Sequence, residues 1–244
     1  MTDRETGQNR DARDEATGSV ALTAGAALFN EGRFLAARDV WEGERRPPDG
    51  DESDCGECDG DESDYGECDG DESDESNGDG RLRRGLAAAA AAAHRDRDGD
   101  RSGAAKRADD ALAALAGAAD SGSVALTSVR EWAERLAAAP ESADATPPPR
   151  IRIDGEAPTF DGLSLAAAGT AAPALARAGE PGEPAMLAAA AEFAGEERGT
   201  GRTEFAELLF AYLRTPDARP QVAARLSDRV DREERKRRDV DGLF

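Results

Sequence analysis

A ten-residue acidic repeat sets the outer limit on what this chain can fold into. The sequence DGDESDCGEC begins at Asp49, recurs from Asp59 with Tyr65 in place of the first cysteine, and decays to DGDESDESNG from Asp69. Residues 49–80 hold 16 acidic side chains, no basic one, and no Leu, Ile, Val or Phe. Such a block cannot bury enough apolar surface to offset its ordering entropy, so it is expected as a solvated, disordered insertion outside any core. Any fold must therefore be assembled from the two flanking pieces. The same 16 carboxylates carry most of the net charge of −21, which leaves the flanking pieces only mildly acidic.

Those pieces have to build a core from small residues. Leu, Ile, Val and Phe make up 34 of the 244 residues, below the roughly 20 % at which a highly charged chain normally reads as disordered. The 51 alanines reverse that reading, because alanine is the strongest helix former and small side chains let helices pack closely. Lys106 and Lys236 are the only lysines among 31 basic residues. A carboxylate-rich, lysine-poor surface fits salt adaptation, since molar salt screens repulsion within a few ångströms and strengthens apolar burial. The composition predicts a halophilic, archaeal source.

Charge and hydropathy exclude several functions. A net charge of −21 with a pI near 4.5 repels polyanions, which argues against nucleic-acid partners. The longest apolar run is the eight residues from Leu86 to Ala93, too short for a membrane span, and Met1 to Ala16 lacks the apolar stretch of a signal peptide. The expectation is a cytoplasmic protein with no membrane partner and no cofactor.

On both sides of the insertion the apolar spacing is helical. Ser19 can cap a helix running to about Asn30; Gly32 breaks it, and Phe34, Leu35, Arg38, Val40 and Trp41 begin a second helix that ends before Pro47 and Pro48. Leu82 to His94 forms a third helix, and Ala104, Ala108, Ala111, Leu112, Leu115 and Ala119 fall on one stripe of a fourth. A fifth, starting near Ser123, carries Val129, Trp132, Ala133 and Leu136. Ala145 to Pro149 reads as a linker, after which Arg150 to Ile153 alternates charged and apolar residues up to the turn pair Asp154-Gly155. Helices follow from Pro184 to Ala194, from Thr203 to Leu213, and from Thr215 as N-cap with Pro216 at the first position. The expected fold is mainly α. Residues 1–18 are a disordered tail, 19–145 a bundle of αα-hairpins interrupted by 49–80, and 146–244 a helical extension opened by a short β segment.

The stretch from Ala27 to Glu42, ALFNEGRFLAARDVWE, resembles the opening motif of the family known as domain of unknown function 309. That motif runs as Phe, a polar pair with Gly, an aromatic, then Ala-His-Glu-x-Trp/Leu-Glu. The family's second block, a glycine, an apolar helix, a histidine and a Gly-Ala turn, is similar to Gly85 through His94 and Gly103-Ala104. The resemblance covers about residues 20–119, and the segment after Pro149 resembles extensions of halophilic archaeal members. It implies a compact all-helical fold and a polar site, with no activity attached. Arg38 stands where the family has its histidine and Arg45 where it has its closing tryptophan. Because arginine is no metal ligand, a metal at that site is not implied.

The candidate chemistry lies in a few residues. Arg38, Asp39 and Glu42 fall within about one helical turn, and His94 can join them if the hairpins pack. One reading makes this a pocket with Glu42 as acid or base and Arg38 as anion clamp; the other makes it a structural ion pair. Cys55 and Cys58 form a CxxC with Cys68 ten residues on, short of the two pairs a zinc site wants, so they are weak metal candidates. Asp51, Ser53, Gly56 and Glu62 match EF-hand spacing, yet Cys55 puts sulfur at a ligand position. Phe29, Phe34, Trp41 and Trp132 lie on apolar stripes and are expected as core anchors. The run from Arg235 to Arg238 is flanked by acids and reads as a salt-bridged helix end. Two functions stay open. The first is a non-enzymatic interaction or scaffold module that binds an unknown protein partner or itself; the second is a ligand-binding protein or enzyme using Arg38, Glu42 and His94.

Overall fold

Alanine and leucine recur three and four residues apart through most of the chain, and the resulting stripes are the buried faces of helices. The computed structural model describes residues 19–43, 76–116, 118, 124–138, 147–198 and 200–241. The expected tail, residues 49–75 of the acidic insertion, and with them Cys55, Cys58 and Cys68, lie outside the described residues. Helix α1 covers 19–30, followed by α2 (Phe34–Gly43), α3 (Ser76–Arg97), α4 (Arg101–Ala116) and α5 (Thr127–Ala138). The extension contributes α6 (Leu165–Arg177), α7 (Pro184–Glu197), α8 (Glu204–Arg214) and α9 (Arg219–Asp241), with 3-10 turns at Phe160–Gly162 and Pro216–Ala218.

The helices stack in an order that is only partly the chain order. α5 packs on α4, α4 on α3, α3 on α2, and α2 on α6; α6 then carries α7 and α8, and α9 lies across α7 and α8. One continuous core of alanine, leucine and aromatic side chains runs through both halves. The seams are close because small residues line them. A Cβ on Gly85 of α3 would meet the Leu115 side chain of α4 at 2.5 Å, and one on Gly169 of α6 would meet the Ala191 Cβ of α7 at 2.8 Å.

The first hairpin shows how local chemistry makes the turn. Gly32 has φ +70°, the left-handed conformation that glycine adopts without strain. The Gly32 N–H donates to Phe29 O at 2.9 Å and the Arg33 N–H to Leu28 O at 2.8 Å, a Schellman ending that closes α1 and reverses the chain. Phe29 then meets Phe34 edge to face at 5.1 Å and Trp41 at 6.3 Å. Phe29, Trp41 and Trp132 are buried, and Phe34 packs half-buried against the core.

Several boundaries differ from the sequence reading. Ser19 is already helical rather than a cap, and α5 begins at Thr127 rather than near Ser123. α3 starts at Ser76, so residues 76–80 of the expected insertion are its first turn; Asp79 there faces a favourable helix dipole, and Leu82 anchors the next turn in the core. Thr215 does not cap α9: its Oγ1 donates back to Ala211 O at 2.6 Å, and Pro216 opens a 3-10 turn. The β segment amounts to single bridges from Ile153 to Val124 and to Glu156. Asp154 at φ +52° and Gly155 at φ +81° form the tight turn, with the Ile153 and Glu156 amides each donating to the other's carbonyl.

Candidate functional site

α2 turns Ala36, Ala37, Val40 and Trp41 inward, so helical periodicity sends Arg38, Asp39 and Glu42 away from the bundle interior. Arg38 Nε lies 2.9 and 3.0 Å from the two Glu42 carboxylate oxygens, and the side chains are 42 % and 51 % exposed. The hydrogen bond to Glu42 is the main reason the Arg38 guanidinium holds its proton more tightly than usual. An exposed pair at this spacing contributes about 0.3–0.5 kcal/mol. Asp39 is engaged elsewhere: its Oδ2 accepts from Arg177 Nε at 2.6 Å, tying α2 to α6. His94, near the end of α3, has Nε2 3.3 Å from Asp98 Oδ2, one turn further along the chain.

The four residues therefore do not converge. His94 lines a cleft of about 130 Å³ between the α1–α2 turn, the end of α3 and the end of α6, and none of Arg38, Asp39 and Glu42 lines it. Arg38 and Glu42 form an exposed ion pair on α2, and the cleft beside His94 is lined without them. The physical reason is rotational: the indole of Trp41 takes the core side of α2, which turns Arg38 and Glu42 to solvent.

Among the described residues the buried charged side chain is Arg219, outside the candidates that the sequence singles out. Arg219 opens α9 with 0 % exposure, its Nε donating to Tyr212 O at 2.9 Å and its Nη2 to Leu213 O at 3.2 Å, near the end of α8. Its Nη1 lies 2.8 Å from Glu180 Oε2, an ionic contact without hydrogen-bond alignment. Glu180 Oε1 meets Arg33 Nη1 at 2.7 Å, so one carboxylate joins the first hairpin to the last helix. Gly179 places it there, ending α6 at φ +95° so that the Glu180 amide donates to Leu175 O. Beside this bridge the Tyr212 hydroxyl donates to Pro181 O at 2.7 Å, and burial pushes its pKa up to about 12. Asn30 makes a second junction. Its amide Nδ2 donates to Ile151 O and Pro158 O, both at 3.0 Å, and its Oδ1 accepts from the Ile151 N–H at 2.8 Å. No local pattern marks the long-range junctions: Arg33 and Glu180 lie 147 positions apart, and Asn30 lies 121 and 128 positions from its partners.

A wider cleft of about 420 Å³ opens between α7, α8 and α9. Phe193 and Phe205 stack there at 5.1 Å, the Arg237 guanidinium lies 4.3 Å from the Phe193 ring centre, and Arg237 also pairs with Glu196. Lys236 Nζ donates to Glu233 at 2.7 Å, holding that carboxyl below its usual range, and Arg235 Nε donates to Asp231 O. Within the basic run 235–238, Lys236 and Arg237 thus form ion pairs, and Arg235 is held to a backbone carbonyl one turn back. Among the described residues no group of His, Cys, Asp and Glu is placed to hold a metal ion, and no helix is long and apolar enough to cross a membrane.

No protein-family model matches the chain, and neither does any curated protein or solved structure.

Proposed function

We propose that this chain is a non-enzymatic helical interaction module, a divergent relative of the domain of unknown function 309 family. In this reading it works in the cytoplasm of a halophilic archaeon and binds a protein partner or a second copy of itself. The observation that carries the reading is the stacking order. Successive hairpins pack through alanine and glycine seams from α5 to α2 and on through α6 to α8, the layered construction with which helical repeat proteins display extended binding surfaces. The polar residues on α2 support it as well, because Arg38 and Glu42 close on each other and Asp39 ties two helices, as scaffold contacts do. The acid-rich, lysine-poor composition supports the salt-adapted setting.

The test is a pull-down from the native host in molar potassium chloride, followed by reconstitution with the purified partner and by analytical ultracentrifugation of the chain alone. A reconstituted complex or a reversible oligomer is the expected result. A strictly monomeric chain that retains no partner, or a turnover assay that identifies a substrate, overturns the proposal.

A further inference from the structure

Three arginines meet two carboxylates around the cleft beside His94, in a chain of strongly negative net charge; one of the carboxylates is Asp98, 3.3 Å from His94 Nε2, so the balance is a single positive charge. Arg33 and Arg219 share the single carboxylate of Glu180, whose two oxygens are both engaged, so that cluster keeps one positive charge in excess. Arg97 adds another. Its Nη1 donates to Gly32 O at 3.0 Å, and among the described residues no carboxylate pairs with it. The His94 imidazole lines the same space, as do Phe34, Leu35 and Ala36, the first turn of α2. The amides of that turn have no acceptor one turn back, and the cap position is held by Arg33, whose side chain offers none.

Size narrows the ligand. A cleft of about 130 Å³ has room for roughly four waters at ~30 Å³ each, whereas sites for drug-sized ligands run from about 300 to 1,000 Å³. We propose that this cleft binds a small phosphate-type oxyanion, either free or as the phosphoryl end of a small molecule, with Arg97 and Arg33 as charge partners and His94 beside them. Guanidinium groups suit such a ligand because their planar donors match tetrahedral oxyanions. Oxyanion binding in this cleft does not depend on a protein partner, so it and the interaction-module function can fail separately.

Titration calorimetry on the full chain at fixed potassium chloride tests it, with inorganic phosphate in one arm and a small phosphate monoester in the other. Saturable binding to one site is expected in at least one arm; tighter binding of the monoester identifies the phosphoryl end of a small molecule, and equal or tighter binding of inorganic phosphate the free ion. Arg97→Gln should weaken binding about tenfold, the scale of one charge-assisted hydrogen bond, and Arg97→Lys should retain part of it. Leu35→Asp is the second variant. Leu35 is exposed and sits in the first turn of α2, where a carboxylate favours the helix while its charge opposes an anion in the cleft. Unfolding that is unimpaired together with binding that is lost is the expected pattern. Absence of saturable binding in both arms, or equally tight binding by Leu35→Asp or by a folded Arg97→Gln, overturns the proposal.

Discussion

Gly25→Ala sets two effects of known size against each other. In the interior of a helix the change normally stabilises by about 1 kcal/mol, since alanine loses less backbone entropy. At position 25 of α1, however, a Cβ would stand 2.3 Å from Trp41 Nε1 and 2.4 Å from its Cε2. Carbon contacts settle near 3.5–4.0 Å, so the indole or the helix must give by more than about 1 Å. The indole has nowhere to go, being 3 % exposed and packed on the buried Phe29 ring. Overpacking of a tight core costs typically about 1–3 kcal/mol, and expelling the ring altogether approaches the 3–5 kcal/mol of a Trp→Ala change. After the helix-propensity gain the net loss is about 1 kcal/mol, up to about 2, and about 2–4 kcal/mol if the ring leaves. For a chain of this length 2 kcal/mol lowers the melting temperature by about 4–8 °C. Thermal unfolding followed by circular dichroism in molar salt reads this directly, and tryptophan emission reports whether the indole has moved into water. Gly195→Ala in α7 is the control, because a Cβ there meets nothing within 4 Å and the propensity gain should appear alone. Two variants stabilised alike would refute the packing argument.

Three further outcomes follow from the contacts. Asn30→Ala should cost about 1–3 kcal/mol, because it strands part-buried backbone groups of residues 151 and 158, whereas Glu42→Ala should stay within about 0.5 kcal/mol; chemical denaturation of both variants compares them. Tyr212 has its hydroxyl pushed from the ordinary 10 up to about 12 by burial. The unfolded chain therefore loses that proton first, and stability should fall as pH rises through the window from 10 to 12, a slope that Tyr212→Phe should flatten in urea titrations at several pH values. Helicity should drop strongly when potassium chloride is lowered from molar to about a tenth molar, where the Debye length reaches about 10 Å; unchanged helicity in dilute buffer would refute the salt-adaptation argument.

Helices whose apolar residues repeat cleanly are legible in the sequence. Val129, Trp132, Ala133 and Leu136 on α5, and Val222, Leu226 and Val230 on α9, are all buried as their spacing implies. α6 is harder to read because Pro173 and Gly169 look like breakers, yet both lie inside the helix. Pro173 is buried in the core, and the missing side chain at position 169 lets α7 approach. Tertiary packing there outweighs a proline that would end an isolated helix.

The candidate site divides in the same way. That Arg38 and Glu42 pair was legible, because a spacing of four on one helix is a local property. Whether the pair is buried depends on which side of α2 faces the bundle, which the fit of Trp41 against Gly25 decides. Glu180, Arg33 and Arg219 carry no mark in their own neighbourhoods, and they meet only because α6 docks on α2 while α9 folds back over α8. The sequence by itself determined the helices other than α6, the turn between α1 and α2, and the mildly acidic body around an acidic repeat, since propensity, periodicity and charge act over a few residues. Only the tertiary structure decided which charges share a cleft, because electrostatic contacts act over a few ångströms whatever the distance along the chain.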